Sequence, residues 1–237
     1  MKAILLAAGL GSRLRPYTLH TPKCLIEVGG KPLLGWWFDW LQEADEIESV
    51  IVNTHHLAEQ VCAYVAQVRT RYRFGIGTRH EPTLLGTAAS VQEYASEPPC
   101  GNDVVVGLAD TLVQVDWPAF RAAHRNLDPC YGTLLLFRTE HPRECGIAAL
   151  DGDGYIQNIV EKPVAPSSDL AVAGLMILRN GVCEIRPTAE DLVGGVLTHC
   201  ASVPRGLAGV ELPGQVLDVG TPERLVRARK LVGARWS

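Results

Sequence analysis

The chain has 237 residues, of which 47% are hydrophobic and 20% are charged, a composition typical of one globular domain with a full core. Its net charge of −4 argues against general nucleic-acid binding, which requires a basic surface. No apolar run reaches the roughly 20 residues that a membrane helix needs, so no membrane association is expected.

The cysteines and histidines form no recognisable disulfide or metal pattern. The seven cysteines are scattered and include no Cys-x-x-Cys pair, which is typical of reduced intracellular thiols. His55 and His56 are adjacent, and adjacent side chains usually point in different directions, which argues against a shared metal. The N-terminal apolar stretch is too short for a secretory signal, so a cytoplasmic protein is predicted.

Strand and helix patterns alternate through the first half of the chain. Apolar runs predict strands at 2–7, 48–53, 74–80 and 103–110, the last of which ends on an acid. Apolar residues at helical spacing predict helices at 33–44, 57–68 and 86–95. Such alternation with short connections favours a mostly parallel sheet covered by helices.

The second half of the chain changes character. It predicts strands at 133–139, within 145–163 and at 171–180, with a strong hairpin signal at the Asp-Gly-Asp-Gly turn 151–154. The segment 221–236 predicts a basic amphipathic helix that packs on the sheet. The expected fold class is therefore α/β, a Rossmann-like mixed, mostly parallel sheet flanked by helices with a small inserted β substrate lobe.

The segment 5–23 after the first predicted strand combines glycines with cations. Gly9 and Gly11 permit a turn whose backbone N–H groups can approach phosphate oxygens, and Arg13, Arg15 and Lys23 supply positive charge. These features predict a phosphate-binding loop, although a structural turn with solvated charge would have the same composition.

Two familiar phosphate loops are excluded at this segment. A Walker A loop needs Lys-Ser or Lys-Thr directly after its last glycine, where this chain has Ser12 and Arg13. A dinucleotide-binding fingerprint needs a third glycine, where this chain has Leu14. Pro16 and Pro22 also disfavour a long helix, so an extended loop is predicted.

Residues 3–33 closely resemble the signature of the sugar-phosphate nucleotidylyltransferases. Further segments match that family in order: LLGTAAS (84–90), GLADT (107–111), CGIAAL (145–150), VEKP (160–163), SSDLAVAGLMIL (167–178) and DVGTPERL (218–225). The resemblance covers nearly the whole chain. It implies one GT-A-like nucleotidyltransferase domain over 1–237, with a nucleotide-binding half at about 1–115 and a sugar-binding half at about 116–237.

The resemblance implies a reaction between a sugar-1-phosphate and a nucleoside triphosphate, which releases pyrophosphate. Arg13 is then expected against the triphosphate, and Lys23 against the phosphates near the reacting centre. Asp110 and Asp218 are expected to hold Mg²⁺, a hard ion that prefers carboxylate oxygens. Arg13, Lys23 and Asp110 are accordingly the predicted catalytic residues.

The resemblance also implies the residues that contact each substrate. The nucleotide is expected against Leu6, Ala7, Ala8, Gly9, Gly11, Ser12, Glu81, Gly86 and Thr87. The sugar phosphate is expected against Lys162, the sugar hydroxyls against Glu161, and the sugar pocket against the backbone of Gly146, Val172 and Gly174.

Several residues depart from the family pattern near these positions. Cys24 replaces a common proline, Ala109 a glycine before the metal aspartate, and Cys145 an aromatic residue before Gly146. Met176 stands where many relatives have an aromatic residue. These changes keep the charged set but alter the pocket walls, which leaves the sugar undetermined. Cys24 is expected to act as a small apolar residue.

The nucleobase is the least determined feature of the sequence. The carboxylate of Glu81 could accept hydrogen bonds from guanine N1–H and N2–H together, although a plain surface glutamate is an equal alternative. LLGTA resembles the guanylyl- and heptose-transferring branches, whereas DLAVAGL resembles the thymidylyl branch. GTP with a hexose- or heptose-1-phosphate is therefore expected first, and dTTP or UTP with a glucose-type or amino-sugar-1-phosphate second.

Two alternatives keep the fold but change the function. One is an inactive relative that binds nucleotide sugars and regulates a partner, although the complete charged set favours an enzyme. The other is transfer to a phosphoalkyl acceptor, which the sugar-like segments around Glu161 and Lys162 disfavour. A homo-oligomer is expected from the family alone.

Overall fold

The computed structural model describes residues 1–97, 103–186 and 188–235. Its strands are β1 (Lys2–Leu6), β2 (Glu27–Val28), β3 (Lys31–Pro32), β4 (Ser49–Thr54), β5 (Gly75–His80), β6 (Asp103–Leu108), β7 (Thr111–Val115), β8 (Gly132–Arg138), β9 (Gly146–Leu150), β10 (Ile156–Glu161), β11 (Leu170–Arg179), β12 (Leu207–Glu211) and β13 (Gly214–Asp218). Its α-helices are α1 (Leu33–Gln42), α2 (Ala58–Val68), α3 (Thr87–Ser96), α4 (Trp117–Leu127), α5 (Thr198–Ala201) and α6 (Pro222–Arg235).

The predicted elements are confirmed within a few residues at each end. The hairpin signal joins β9 and β10, which pair antiparallel, and the Asp151 carboxylate accepts hydrogen bonds from the backbone of Asp153 and Tyr155. The strand expected at 103–110 ends at Leu108, so Asp110 lies just beyond it. The predicted C-terminal helix is α6, and its expected last residue, 236, lies outside the described residues.

The chain forms two compact units, each assembled from separate stretches of sequence. The first unit comprises Met1–Ile4, Leu85–Gly107 and Val115–Gly214, and the second comprises Leu5–Leu84, Leu108–Gln114 and Gln215–Ser237. The single domain with halves at about 1–115 and 116–237 stays a prediction.

The first unit contains most of the antiparallel strand pairs. Its strand order is β10-β9-β11-β6-β1, and β8 pairs with β11. β11 is antiparallel to β6, β8 and β9, whereas β12 is parallel to β8. The strands are buried because they are almost continuous apolar runs, such as the fully buried middle of β11.

A buried polar cluster lies within the first unit, between α4 and the sheet. The imidazole of His124 is hydrogen-bonded through Nδ1 to the Thr133 hydroxyl at 2.8 Å, and its Nε2 lies 3.5 Å from Oδ2 of Asp103. The Arg121 guanidinium donates to the same carboxylate oxygen at 2.8 Å. His124 and Arg121 together hold the pKa of Asp103 at about 2, below its usual value.

The second unit contains the parallel pair β4–β5 and two two-stranded ribbons, the antiparallel β2–β3 and the pair β7–β13. The apolar face of α6 packs into a cluster with the ribbons, which is formed by Leu14, Ile26, Val28, Leu33, Leu112, Val219, Leu225, Ala228 and Val232. The expectation that this helix packs on the main sheet is therefore corrected. Its apolar residues meet Val28 of β2 and Leu112 of β7 instead.

The combination of parallel and antiparallel pairs makes the sheet mixed, and helices alternate with the strands as predicted. The α/β fold class is confirmed. Among the residues that the structure describes, no helix is long and apolar enough to cross a membrane.

Candidate functional site

The loop after β1 is held in shape by a glycine with a left-handed backbone. Gly11 has φ +62°, and its carbonyl accepts hydrogen bonds from the Leu14 N–H at 2.9 Å and from the Thr18 hydroxyl at 2.7 Å. A Cβ at Gly11 would lie 2.8 Å from Cγ2 of Thr18, closer than such atoms can approach. Only glycine therefore fits this turn without strain.

The same loop presents unused backbone donors to its surroundings. The N–H groups from Gly9 to Ser12 have no acceptor within the described part of the chain. Gly9 is exposed, and a Cβ built on it would meet no atom within 4 Å. Consecutive free N–H groups beside open space are the arrangement that binds phosphate oxygens.

The two predicted catalytic cations differ in their surroundings. Arg13 lies in the short 3₁₀ turn Ser12–Leu14, is exposed, and has no acidic partner among the described residues. Lys23 begins the turn Lys23–Leu25, and its side chain is only 9% exposed. A Cβ on Gly11 would lie 3.3 Å from Cβ of Lys23, so this lysine adjoins the loop.

Lys23 and Asp110 form an ion pair, although 87 residues separate them in sequence. Nζ of Lys23 donates to Oδ2 of Asp110 at 2.6 Å. Asp110 directly follows Ala109, which is fully buried and donates its N–H to the carbonyl of Leu6 at 3.1 Å. The end of β1, the buried lysine and the predicted metal aspartate therefore meet in the second unit.

Asp218 is brought to Asp110 through the backbone. The N–H of Val219 donates to the carbonyl of Asp110 at 3.2 Å, so the residue that follows Asp218 contacts the other predicted metal ligand. The Asp218 carboxylate forms an ion pair with Arg224 in the first turn of α6. That arginine was not predicted from the sequence.

The acidic residues at this place suit a hard cation in type, but they do not form a dense cluster. Asp110 and Asp218 are 39% and 35% exposed, which leaves both carboxylates accessible. No group of three or more potential metal ligands occurs among the described residues. Two carboxylates with substrate phosphates are a donor set that Mg²⁺ accepts, because this ion usually keeps several water ligands.

Glu81 is buried, so the surface-glutamate alternative was wrong. It follows β5, is 2% exposed, and accepts a hydrogen bond from Nδ2 of Asn53 at 2.9 Å. Asn53 was missed from the sequence, although its position gave a signal. It is a polar residue within the carboxyl end of a buried strand, the edge at which α/β sheets usually bind ligands.

The structure divides the predicted site residues between the two units. The second unit contains Leu6, Ala7, Ala8, Gly9, Gly11, Ser12, Arg13, Lys23, Glu81, Asp110 and Asp218. The first unit contains Gly86, Thr87, Gly146, Glu161, Lys162, Val172 and Gly174.

Gly86 and Thr87 lie at the start of α3 and contact a later segment of the first unit. The Thr87 hydroxyl oxygen accepts a hydrogen bond from the Leu192 N–H at 2.7 Å. The carbonyl of Glu190 accepts from the Ala88 N–H at 3.1 Å. These bonds tie the start of the helix to the segment before a π-helical turn at Val193–Leu197.

Gly146 and Glu161 are directly opposite each other on β9 and β10. Oε2 of Glu161 would lie 3.0 Å from a Cβ on Gly146, so the missing side chain leaves room for this carboxylate. Cγ1 of Val193 would lie 2.9 Å from the same Cβ, so Val193 also adjoins Gly146, which the sequence had not indicated. The glycine, the carboxylate and the valine therefore line one small region.

Lys162 and the bulge of β11 complete the sugar-side residues. Nζ of Lys162 lies 2.6 Å from Oε1 of Glu161, and the lysine backbone has φ +45°, a left-handed conformation that is unusual for a lysine. Val172 precedes an irregularity in the β8–β11 pairing that contains Gly174, whose φ is +76°. Beside Val172, Ala171 pairs with Ile147 of β9.

The residues that depart from the family pattern are mostly buried. Burial raises the pKa of the Cys24 thiol to about 12, which agrees with the expected role as a small apolar residue. Met176 is also buried and pairs with Val106 of β6. These two side chains therefore belong to the packing of their units.

The chain is similar to known proteins along almost its whole length. A family model described as Nucleotidyl transferase matches residues 2–234. A mannose-1-phosphate guanylyltransferase catalytic subunit beta of Drosophila pseudoobscura pseudoobscura is 29% identical over 231 residues, covering 94% of this chain and 60% of that protein. An N-acetylmuramate alpha-1-phosphate uridylyltransferase of Neisseria meningitidis serogroup B is 30% identical over 243 residues and covers 99% of both.

A solved structure supports the same fold. The structure of a UDP-glucose pyrophosphorylase complexed with UDP-glucose matches with a TM-score of 0.84 at 19% identity, covering 97% of each chain. The chain spans 62% and 60% of the length of two of the curated relatives that it matches. Since the family model extends over residues 2–234, the chain belongs to the Nucleotidyl transferase family, as the resemblance to sugar-phosphate nucleotidylyltransferases implied.

Proposed function

We propose that the protein transfers a nucleotidyl group from a nucleoside triphosphate to a sugar-1-phosphate and releases pyrophosphate. The observation that carries this proposal is the loop with free N–H groups at Gly9 to Ser12, which adjoins the ion pair between the buried Lys23 and the accessible Asp110. Relatives named as sugar-1-phosphate nucleotidylyltransferases match along nearly the whole chain and support the same reaction class.

The reaction brings two anions together, and this determines what the protein must supply. Two unit charges at 4 Å repel by about 4 kcal/mol at an effective dielectric constant of 20. The loop N–H groups, Arg13 and Lys23 would offset this repulsion at the triphosphate. Because the sugar phosphate is already an anionic nucleophile, no activated serine or cysteine is required, and positioning with charge stabilisation can provide the rate enhancement.

Asp110 and Asp218 would hold a Mg²⁺ ion. When bound, the ion would neutralise phosphate charge and help to align the reacting groups. Each carboxylate already has a cation beside it, Lys23 for the first and Arg224 for the second. These cations orient the two carboxylates, and Lys23 would remain available to the phosphate oxygens beside Asp110.

Lys162 and Glu161 would bind the sugar phosphate. Their side chains form an ion pair at 2.6 Å, and the Lys162 side chain is exposed, so a phosphate could replace the carboxylate as its partner. Glu161 would then accept hydrogen bonds from sugar hydroxyls, with the backbone of Gly146, Val172 and Gly174 around the ring. A larger side chain at Gly146 would collide with Glu161 or Val193.

GTP with a hexose- or heptose-1-phosphate is the substrate pair that we propose first. Support comes from the LLGTA segment and from relatives named as mannose-1-phosphate guanylyltransferases. The second candidate is UTP or dTTP with an amino-sugar- or glucose-type phosphate, which the Neisseria meningitidis relative favours because it matches along its full length. A homo-oligomer and a cytoplasmic location stay predictions.

The test is a grid of purified protein with Mg²⁺, each of five nucleoside triphosphates and several sugar-1-phosphates, measured by pyrophosphate release. We expect turnover with GTP and mannose-1-phosphate or a heptose-1-phosphate above the other pairs. The activity of Lys23→Ala is compared with that of Lys230→Ala, which removes an exposed cation on α6 and so controls for the loss of one positive charge. Tight nucleotide binding without turnover on any pair would instead favour the inactive regulatory relative.

A further inference from the structure

Asn53 and Glu81 form a buried polar pair next to the start of the phosphate-binding loop. They are 3% and 2% exposed. Asn53 lies in β4 and Glu81 directly follows β5, and the parallel register places Asn53 opposite Arg79 and Thr54 opposite His80. Both polar residues therefore lie at the same edge of the parallel pair.

The pair is hydrogen-bonded to the chain that leads into the loop. Oδ1 of Asn53 accepts from the N–H groups of Ala7 at 2.5 Å and Ala8 at 3.2 Å. Nδ2 of the same side chain donates to Oε1 of Glu81 at 2.9 Å. The Asn53 amide thus connects two loop N–H groups to one carboxylate.

The main chain of Glu81 is also fixed. Its N–H donates to the carbonyl of Thr54 at 2.8 Å, and its carbonyl accepts from Nδ1 of His55 at 2.7 Å. The carboxylate accordingly projects from a backbone that is bonded on both sides. A fixed acceptor permits one orientation of the Asn53 amide, with Nδ2 towards Glu81 and Oδ1 towards the loop.

We propose that Asn53 and Glu81 are positioning residues, which set the backbone at Ala7 and Ala8 and so determine where the free N–H groups of the loop begin. Because the loop would bind phosphates, the pair acts equally on every nucleotide and does not select the base. This proposal rests on the proposed function, and it replaces the reading of Glu81 as a guanine acceptor.

The two roles of Glu81 predict opposite results in a substrate comparison. A base-reading carboxylate would contact guanine, so Glu81→Gln or Glu81→Leu would change the ratio of kcat/KM for GTP to that for UTP. A positioning residue leaves that ratio within about threefold of wild type while kcat/KM falls for both nucleotides. Glu81→Leu should lower it by about tenfold or more, the loss expected when a buried hydrogen-bonding group has no partner.

Reversing the polarity of the pair gives a sharper test. Asn53→Asp places two carboxylates opposite each other and should lower kcat/KM more than Glu81→Gln does. In the double variant Asn53→Asp with Glu81→Gln, the glutamine can donate to the aspartate while the aspartate accepts from the two loop N–H groups. We expect the double variant to recover at least part of the loss, which additive damage would not produce.

Amide hydrogen exchange of the nucleotide-free protein provides a readout that does not depend on turnover. Exchange at Ala7 and Ala8 should accelerate by about tenfold or more in both variants, because Asn53→Ala removes the acceptor of these amides and Glu81→Leu removes the carboxylate that orients that acceptor. Glu59→Gln on α2 is the exposed acidic control and should change neither exchange nor kcat/KM.

The outcomes separate this proposal from the proposed function. A more than tenfold change in the GTP to UTP ratio in Glu81→Gln, or unchanged exchange at Ala7 and Ala8 in both Asn53→Ala and Glu81→Leu, would overturn the positioning role. Absence of turnover by the wild type on every substrate pair would overturn the proposed function, and the exchange experiment would still decide the positioning role. If Asn53→Asp does not fold, the GTP to UTP ratio of the Glu81 variants and the amide exchange of Asn53→Ala and Glu81→Leu still test the positioning role.

Discussion

Asp110→Asn separates the chemical role of this aspartate from its role in folding. The asparagine has the same shape and still offers an oxygen to Nζ of Lys23, which lies 2.6 Å from Oδ2 in the native chain. What is lost is the negative charge, which a bound Mg²⁺ would need. Activity should therefore fall far more than stability.

The magnitude of each effect follows from the structure. A hydrogen bond to a charged group contributes about 1 kcal/mol more than a neutral one. Solvent screening at the 39%-exposed carboxylate limits the loss in the free energy of unfolding to about 1 kcal/mol. For a chain of this length that is a decrease in Tm of about 2–4 °C. Removing a group that stabilises charge in the transition state lowers kcat by about 100- to 1000-fold.

The assay is pyrophosphate release at saturating substrates, together with urea unfolding followed by circular dichroism. Asp45→Asn is the matched control, because Asp45 also pairs with a cation of the second unit, Arg73, but is 92% exposed. It should change the free energy of unfolding by less than about 0.5 kcal/mol and leave kcat unchanged. If Asp110→Asn retained kcat within threefold of wild type, the metal role assigned to Asp110 would be wrong. If the free energy of unfolding fell by several kcal/mol, the main role of Asp110 would be in folding instead.

Three other predictions concern the glycines of the loop, the carboxylate of Asp103 and the cysteine thiols. Gly9→Ala should leave Tm unchanged, because a Cβ there meets only open space, and should raise the KM for nucleotide, whereas Gly11→Ala should lower the free energy of unfolding by about 1–3 kcal/mol through its positive φ and the contact at 2.8 Å. Urea unfolding and nucleotide titration distinguish the two variants, and equal stability of both would refute the turn assigned to Gly11. The pKa of Asp103 falls from 3.8 to about 2 on folding, so the ionised carboxylate stabilises the fold by about 2 kcal/mol above pH 4, and this stabilisation is lost as the pH falls towards 2. Asp103→Asn should therefore flatten the curve of unfolding free energy against pH between about pH 4 and pH 2. Iodoacetamide at pH 8 should alkylate exposed Cys130 before buried Cys24, without loss of activity, as peptide mass mapping would show; faster reaction at Cys24 would contradict its burial.

Local patterns were enough to predict most helices and strands. The apolar run of β1 and the helical spacing in α2 depend on residues that lie within a few positions of each other, so the sequence displays them directly. The docking of α6 was not predicted correctly, since an amphipathic face indicates that a helix is covered without indicating by what. Here the ribbons cover it; β2 and β3 have two residues each, too few for a strand signal, and β7 and β13 were not predicted as strands.

In the site, local sequence patterns also do not show which distant residues come into contact. Lys23 and Asp110 were both predicted, but their roles at one reacting centre came only from the ordered family pattern, because nothing local relates residues 87 positions apart. Asn53 was missed for a different reason, and the same reason prevents the sequence from distinguishing a base-reading Glu81 from a surface one. Their hydrogen bond depends on the parallel register of β4 and β5, and single-sequence periodicity contains no information on register.

The left-handed backbone of Lys162 has a consequence for laboratory evolution of this protein. Its φ of +45° costs a lysine about 1 kcal/mol, whereas glycine or asparagine tolerates this conformation. A library selected only by survival of heating should therefore enrich Lys162→Gly and Lys162→Asn. Both replacements remove the cation proposed for the sugar phosphate, so the most heat-resistant clones at this codon should be the poorest catalysts.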